Sequence, residues 1–144
     1  MLNAKFFNEL STSELYEILK SRSEIFVLEQ KIDYIDEDNT DYDSLHCFFW
    51  ENDRVTAYLR AYYADDTHET VKFGRVLTLV HGQGLGKELM LRSIEAVKEK
   101  MPCRRICMDA QKHAEGFYKA LGFITVSDEY LEESIVHVDM EMQL

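Results

Sequence analysis

The segment that most constrains the fold runs from Val76 to Met101. Val76-Leu77-Thr78-Leu79-Val80 is an apolar, β-branched run, and His81-Gly82-Gln83-Gly84-Leu85-Gly86-Lys87 follows it with glycine at alternate positions. Met90, Ile94, Val97 and Met101 then recur at helical spacing until Pro102 stops the helix. A strand, a glycine turn and an amphipathic helix in that order require an α/β or α+β layer arrangement. One glycine suffices for a sharp strand-to-helix turn. Three let several backbone N–H groups converge on one point beside the positive end of a helix, which suits a phosphate or pyrophosphate.

The rest of the chain alternates in the same way. Lys5–Leu10 reads as an opening strand. Ser11-Thr12-Ser13-Glu14 has the spacing of a capping box and starts one or two helices reaching about Glu29. Residues 31–44 carry Asp33, Asp36, Glu37, Asp38, Asp41 and Asp43 and read as a loop, solvated or facing a substrate. This loop lacks the turn glycine and closing Glu of a calcium site. His46–Trp50 and Val55–Tyr63 form a hairpin around Glu51-Asn52-Asp53, Asp65-Asp66-Thr67 makes a turn, and Val71–Val80 is the next strand. After the helix from Gly84 to Met101 come a strand at Arg104–Ala110, a short helix at Ala114–Leu121 ended by Gly122, and strands at Phe123–Val126 and Ile135–Met142. With no linker or repeat, residues 1–144 are expected to form a single domain.

Charge narrows the class of partner. The chain holds 16 basic and 27 acidic residues, a formal charge of −11, which disfavours nucleic acid and anionic membrane. Such a field attracts a cationic amine, although acidic surfaces commonly serve solubility alone. No apolar run approaches the ~20 residues that span a bilayer, and Met1–Glu9 lacks a secretion-signal pattern, so the expected location is cytoplasmic. Cys47, Cys103 and Cys107 are an odd number with no zinc-ligand spacing; they read as small hydrophobes, and no metal is expected.

Two phosphate loops fail against the glycine turn. Walker A would need glycine at His81 and a hydroxyl residue at Glu88, and the dinucleotide pattern from Gly82 would need glycine at Lys87. A third pattern fits. His81-Gly82-Gln83-Gly84-Leu85-Gly86 resembles the [Gln/Arg]-x-x-Gly-x-[Gly/Ala] pyrophosphate loop of the GNAT N-acetyltransferase superfamily, with His81 at the usual Gln or Arg. Gln111-Lys112-His113-Ala114-Glu115-Gly116-Phe117-Tyr118-Lys119-Ala120-Leu121-Gly122-Phe123 resembles its second signature, Asn-x-x-Ala-x-x-Phe-Tyr-x-x-x-Gly-Phe, with Gln for Asn. Arg22-x-x-x-Phe26-Val27-x-Glu29-Gln30, the acidic loop with Tyr34 and Asp36, Gly74-Arg75-Val76, Ala110-Gln111 and Ile135-Val136-His137-Val138 extend the likeness to the ElaA-like branch. Relative to that branch, the stretch between Arg75 and Gly86 is about two residues shorter, tightening the loop into the cradle.

The resemblance implies a GNAT fold: a mixed, mostly antiparallel sheet, splayed at its centre around the cofactor and flanked by helices. It implies acetyl-coenzyme A as donor and a primary amine of a small molecule or peptide as acceptor, attacking directly in a ternary complex. Tyr118 takes the family position beside the coenzyme sulfur, as the acid for the leaving thiolate. Main-chain N–H groups around Leu77, Thr78 and Leu79 serve the oxyanion; His81, Gly82, Gln83, Gly84, Leu85, Gly86 and Lys87, with Gln111 and Phe117, line the coenzyme. His137 is the candidate base, with His46 and Glu29 as alternatives, and water-relayed deprotonation needs none. Glu29, Asp36, Asp38 and His46 are candidates for holding the acceptor. A non-catalytic acyl-coenzyme A sensor is the competing reading, and oligomeric state stays open, a homodimer included.

Overall fold

The computed structural model describes residues 1–32 and 35–144; Asp33 and Tyr34, named above in the acidic loop, lie outside the described residues. The N-terminal strand β1 is Asn3–Phe6, shorter than the sequence predicts. Phe7–Glu9 winds into a 3-10 turn instead, because the Glu9 carboxylate accepts a hydrogen bond from Phe6 N–H at 2.8 Å and draws the chain round. Helix α1, Thr12–Arg22, opens with the expected capping box: Glu14 N–H donates to Ser11 Oγ and Ser11 N–H to Glu14 Oε1. It passes directly into a π-helical segment, Ser23–Glu29.

Strands β2 (Leu45–Glu51) and β3 (Arg54–Tyr63) form the expected hairpin. Its two tip residues, Asn52 and Asp53, both have positive φ, the backbone that matches a two-residue turn to strand twist. Next come β4 (Thr70–Thr78), helix α2 (Leu85–Lys100) and β5 (Arg105–Gln111). The short helix α3 (Glu115–Ala120) leads to β6 (Ile124–Thr125), β7 (Tyr130–Glu132) and β8 (Ile135–Gln143). Periodicity alone misses β7: it is three residues long and carries little apolar signal. Its turn into β8, Glu133-Ser134, takes positive φ at both positions without glycine.

The strands form one mixed sheet in the order β1-β2-β3-β4-β5-β8-β6, with β7 also pairing β8. Every described pairing is antiparallel except β4 with β5. Both faces of the central strands are covered. Ala57, Leu59, Ala61, Val71 and Phe73 turn toward Leu89, Met90, Ile94 and Val97 of α2. On the opposite face Ile18, Ile25 and Phe26, from α1 and the π-helical segment, pack on Phe48, Val55, Tyr58 and Leu77. This two-sided burial explains why β2 and β3 read as near-continuous apolar runs. Cys47 is buried and its thiol is pushed up to about 12, so it acts as a packed hydrophobe.

The α1 face also buries charge. Arg22, fully buried, donates from Nε to Asp36 Oδ2 at 2.7 Å and from Nη1 to Asp41 Oδ1 at 2.6 Å. Arg60 donates to Asp38 through both terminal nitrogens, at 2.7 Å each. The Arg60 hydrogen bond holds Asp38 well below the usual carboxylate range. Burial works to raise Asp41, but the hydrogen bond and charge of Arg22, joined by Arg60, outweigh it and keep Asp41 low. His46 is fully buried; Nε2–H donates to the Asp41 carbonyl and Nδ1 accepts from the Tyr58 hydroxyl. That ring therefore has no surface to offer an acceptor, correcting the expectation from sequence.

Burial depresses the His46 pKa below its ordinary 6.5. Below pH 6.5 the unfolded chain therefore takes up this proton before the folded one does, and the stability it carries at neutral pH is lost as pH falls through that window. Urea unfolding of the wild type and His46→Gln between pH 7 and pH 5 is expected to show a shallower loss in the variant. Parallel curves would assign the slope to other groups.

Candidate active site

Strands β4 and β5 pair in parallel from Thr70↔Arg105 to Phe73↔Met108, and then stop pairing although both continue, to Thr78 and Gln111. The departure coincides with a bulge. On β3 the register advances from Tyr58 to Arg60 while β4 goes from Leu77 back to Gly74, so β4 holds one extra residue there. Arg75 absorbs it with a φ of 51°. β4 swings away from β5, and the opening between them leads into a cavity of about 830 Å³.

The gap edge of β4 carries usable main chain. Leu79 N–H donates to the Thr56 carbonyl at 2.8 Å, and Leu77 stands opposite Tyr58, so both residues direct their N–H groups at β3. Alternation along the strand turns the amides of Val76 and Thr78 the other way, into the gap. Of the three residues expected around the oxyanion, Thr78 turns its amide into the gap, as does Val76, while the amides of Leu77 and Leu79 face β3.

At the cavity's far end the glycine turn has the backbone its sequence requires. Gly82 and Gly84 have φ of 78° and 73°, a region strained for any L side chain, and open space lies where their Cβ atoms would stand. Gly84 is the N-cap of α2 and supplies no side chain to its first turn, where Glu88 N–H is the first to bond back, to the Gly84 carbonyl. The N–H groups of Leu85, Gly86 and Lys87 precede the first intrahelical bond and face outward from the helix end. Gly86 lies where a Cβ would touch Phe117 Cζ at 3.5 Å and Thr78 Cγ2 at 3.8 Å, so α2 closes on α3 and β4. A diphosphate ester fits this cradle of bare amides and absent side chains.

These features have counterparts in known proteins. Residues 4–144 match the family model described as an acetyltransferase (GNAT) domain. The protein ElaA of Escherichia coli K12 is 36% identical over 141 residues, spanning 95% of this chain and 92% of that one. Its crystal structure superposes with a TM-score of 0.91, covering 99% and 98% of the two chains. An acyl-CoA N-acyltransferase from Pseudomonas aeruginosa is 32% identical with a TM-score of 0.90, covering 99% of each chain. The chain belongs to the GNAT acetyltransferase family. The splayed mixed sheet is its GNAT fold, and family membership supports acyl transfer from an acyl-coenzyme A.

Within this GNAT frame the cavity gathers most of the residues singled out from sequence. Leu77, Thr78, His81, Gly82, Gly84, Leu85, Gly86, Lys87, Gln111, Phe117, Tyr118 and His137 line it. Leu79, Gln83, Glu29, Asp36 and His46 are not among its lining residues. Glu29 pairs at 3.2 Å with His81, the residue at the usual Gln or Arg position, and both are exposed. Asp36 is 5% exposed and held by two arginines, so it is structural where the sequence suggested an acceptor contact. Asp38 does line the cavity, but is bound to Arg60. Gln111 Nε2 donates to Gln30 Oε1 at 2.9 Å, bridging β5 to the end of the π-helical segment.

Tyr118 is 7% exposed and packs edge-on against Phe117 and Phe123; burial pushes its phenol up to about 12. On β8, opposite Gln111, His137 donates from Nδ1 to the Ile135 carbonyl at 2.8 Å. In the neutral ring that bond leaves Nε2 as the bare, basic nitrogen. Nε2 lies 3.5 Å from Glu132 Oε2, and the ring stacks on Tyr130, whose hydroxyl donates to Asp139. Glu132 and Glu133, both in the cavity wall, escape a sequence reading because β7 and the turn after it do. The signal lay in Glu132-Glu133-Ser134 preceding the alternating Ile135–Val138 run.

In ¹³C-tyrosine NMR spectra assigned with Tyr118→Phe, Tyr118 is expected to remain a neutral phenol through pH 10. Half-ionisation at pH 10, the ordinary value, would mean that the ring is solvated.

Proposed function

We propose that the chain transfers an acetyl group from acetyl-coenzyme A to a primary amine of a small molecule or peptide, by direct attack in a ternary complex. One observation carries this reading: the gap-facing amides of β4, the amide cradle at α2, buried Tyr118 and the Nε2 side of His137 border one continuous cavity. The amides of residues 82–87 would hold the diphosphate of such a thioester, and the gap-facing edge of β4, at the fork between β4 and β5, its arm. The coenzyme supplies an activated carbonyl and a stable thiolate leaving group.

The chain's own residues then have separate tasks. An ammonium has no lone pair, so His137 Nε2 takes its proton, and the neutral nitrogen forms the new bond to the carbonyl carbon. The amides of Val76 and Thr78 face the oxygen as it gains charge. As the C–S bond breaks, the electron pair stays on sulfur. A phenol at about 12 is a weaker acid than a thiol at ~8.5, so Tyr118 steadies the sulfur by donating a hydrogen bond; the second proton, lost by the nitrogen after the C–N bond forms, ends on the thiol, and the first passes from His137 to solvent. Glu132, beside His137, favours a cationic acceptor. The cavity's extension past the fork to Glu132 and Glu133 supports catalysis over a sensor, which needs no second substrate space.

Acetyl-coenzyme A is expected to raise the melting temperature while ATP and NAD leave it unchanged; no shift with acetyl-coenzyme A would remove this reading. With an acceptor found by thiol release from a panel of polyamines, amino acids, aminoglycosides and peptides, Tyr118→Phe is expected to lower kcat by about ten- to a hundredfold, the ~1.5–3 kcal/mol of one hydrogen bond to a charged sulfur, with coenzyme KM little changed. Glu132→Gln is expected to raise the acceptor KM with kcat less affected. An unchanged kcat in the first variant or an unchanged KM in the second would withdraw that residue's role.

A further inference from the structure

Eight non-glycine residues have positive φ among those described, and seven of them, Lys31, Asn39, Asn52, Asp53, His68, Glu133 and Ser134, lie in turns or loops. Arg75 alone takes this conformation within a strand, at the point where β4 leaves β5. A left-handed backbone is unfavourable for a residue with a Cβ and persists where its surroundings impose it. Gly74 is the immediate neighbour and would carry a positive φ without strain, yet the bulge falls on arginine.

The side chain supplies the reason. Arg75 Nε donates to Asp36 Oδ1 at 3.0 Å, and Nη2 donates to the Asp36 carbonyl at 3.0 Å. Arg22 grips the same residue from the other side, through Nε to Oδ2 at 2.7 Å and Nη2 to the carbonyl at 2.9 Å. Asp36 therefore bridges two guanidinium groups through both carboxylate oxygens and its main-chain oxygen. Arg22 is fully buried at the end of α1, and Asp41, which it also holds, bonds Arg60 on β3. The tether runs from α1 through the loop to the one bulged residue of β4.

We infer that Asp36 and Arg75 are positioning residues: their clamp sets the bulge, and thereby aims the gap-facing amides of Val76 and Thr78 at the acyl-bearing arm of the coenzyme. This rests on the coenzyme reading above. The clamp does not touch the cradle at residues 82–87, so its effect is confined to the part of the ligand that lies along β4.

That division supplies the test. Arg75→Gly keeps a residue at ease with a φ of 51° and removes the guanidinium, with its tether to Asp36 and its longer contact to Asp38 at 3.5 Å. Calorimetry would compare two probes, acetyl-coenzyme A and 3′-phospho-ADP, the fragment that carries the diphosphate but no pantetheine arm. The variant is expected to bind acetyl-coenzyme A about tenfold more weakly and 3′-phospho-ADP as the wild type does. Asp36→Asn, which also weakens the Arg22 pair, is expected to weaken acetyl-coenzyme A at least as much, and the double variant to be no worse than Asp36→Asn, since the Arg75 connection is already broken there. Should Asp36→Asn fail to fold, Arg75→Lys, which leaves the Arg22–Asp36 bond in place but lacks the forked contact to Asp36, serves as the second variant and is expected to weaken acetyl-coenzyme A alone. Acetyl-coenzyme A affinity within twofold of wild type, or equal weakening of both probes, would overturn the inference. A wild-type protein that binds neither probe would instead overturn the coenzyme reading.

Discussion

An interior sheet strand that stops pairing halfway along its length leaves main-chain donors and acceptors without partners, and that unmet demand organises the protein. Beyond Phe73 and Met108 the facing edges of β4 and β5 have no ladder between them, although the same strands stay paired on their outer edges to β3 and β8. Orphaned backbone groups cost roughly 1–3 kcal/mol each when cut off from water, so a closed gap would be expensive. An open one remains wet and accepts an extended ligand with amides of its own. The pantetheine arm of a coenzyme is such a ligand, and pairing with it resembles strand addition more than pocket filling.

Holding two strands apart requires rigid walls. On one side α2 packs an aliphatic stripe on the sheet and ends its N-terminal turn at the gap. On the other, the aliphatic contact of α1 is joined by ion pairs that include fully buried Arg22. Hydrophobic residues of similar volume often stabilise a fold as well as a buried ion pair does, whereas guanidinium–carboxylate forks fix direction as well as distance. The network lies where direction matters: it joins α1 and β3 to the bulge of β4 through Asp36, Asp38 and Asp41 of the acidic loop.

The parts of this architecture legible in the sequence are those with a local cause. The capping box at Ser11, the stripe through Met90, Ile94 and Val97, and the positive-φ glycines of the turn each follow from chemistry within a few residues, and each stands where expected. Residues whose role depends on a distant partner are not legible in this way. Asp36 and His46 look like surface acids and bases in a loop and a strand; buried Arg22 and Tyr58 across the sheet make them structural. The direction of the amides of Leu77 and Leu79 depends on register with β3, which a one-residue bulge alters. Strand β7 is not legible because three residues offer no period, and the cavity-wall acids Glu132 and Glu133, at its end and in the turn after it, are hidden with it.

The cavity's ends also differ in charge, in a way that net charge conceals. A chain at −11 repels a diphosphate from afar, but screening over about 8 Å at physiological salt confines that repulsion to the surface, and short-range dipoles decide what binds within. At the α2 end the nearest groups are bare amides with Lys87, and His81 and His113 stand on the wall. Past the fork the wall bears Glu132, Glu133 and Asp109, the last already bonded to Lys72. On the proposed acetyl transfer, an anionic donor and a cationic acceptor would be favoured at opposite ends of the cavity, and acylation, by removing the acceptor's charge, would weaken its attraction to Glu132 and Glu133 and so assist release of the product.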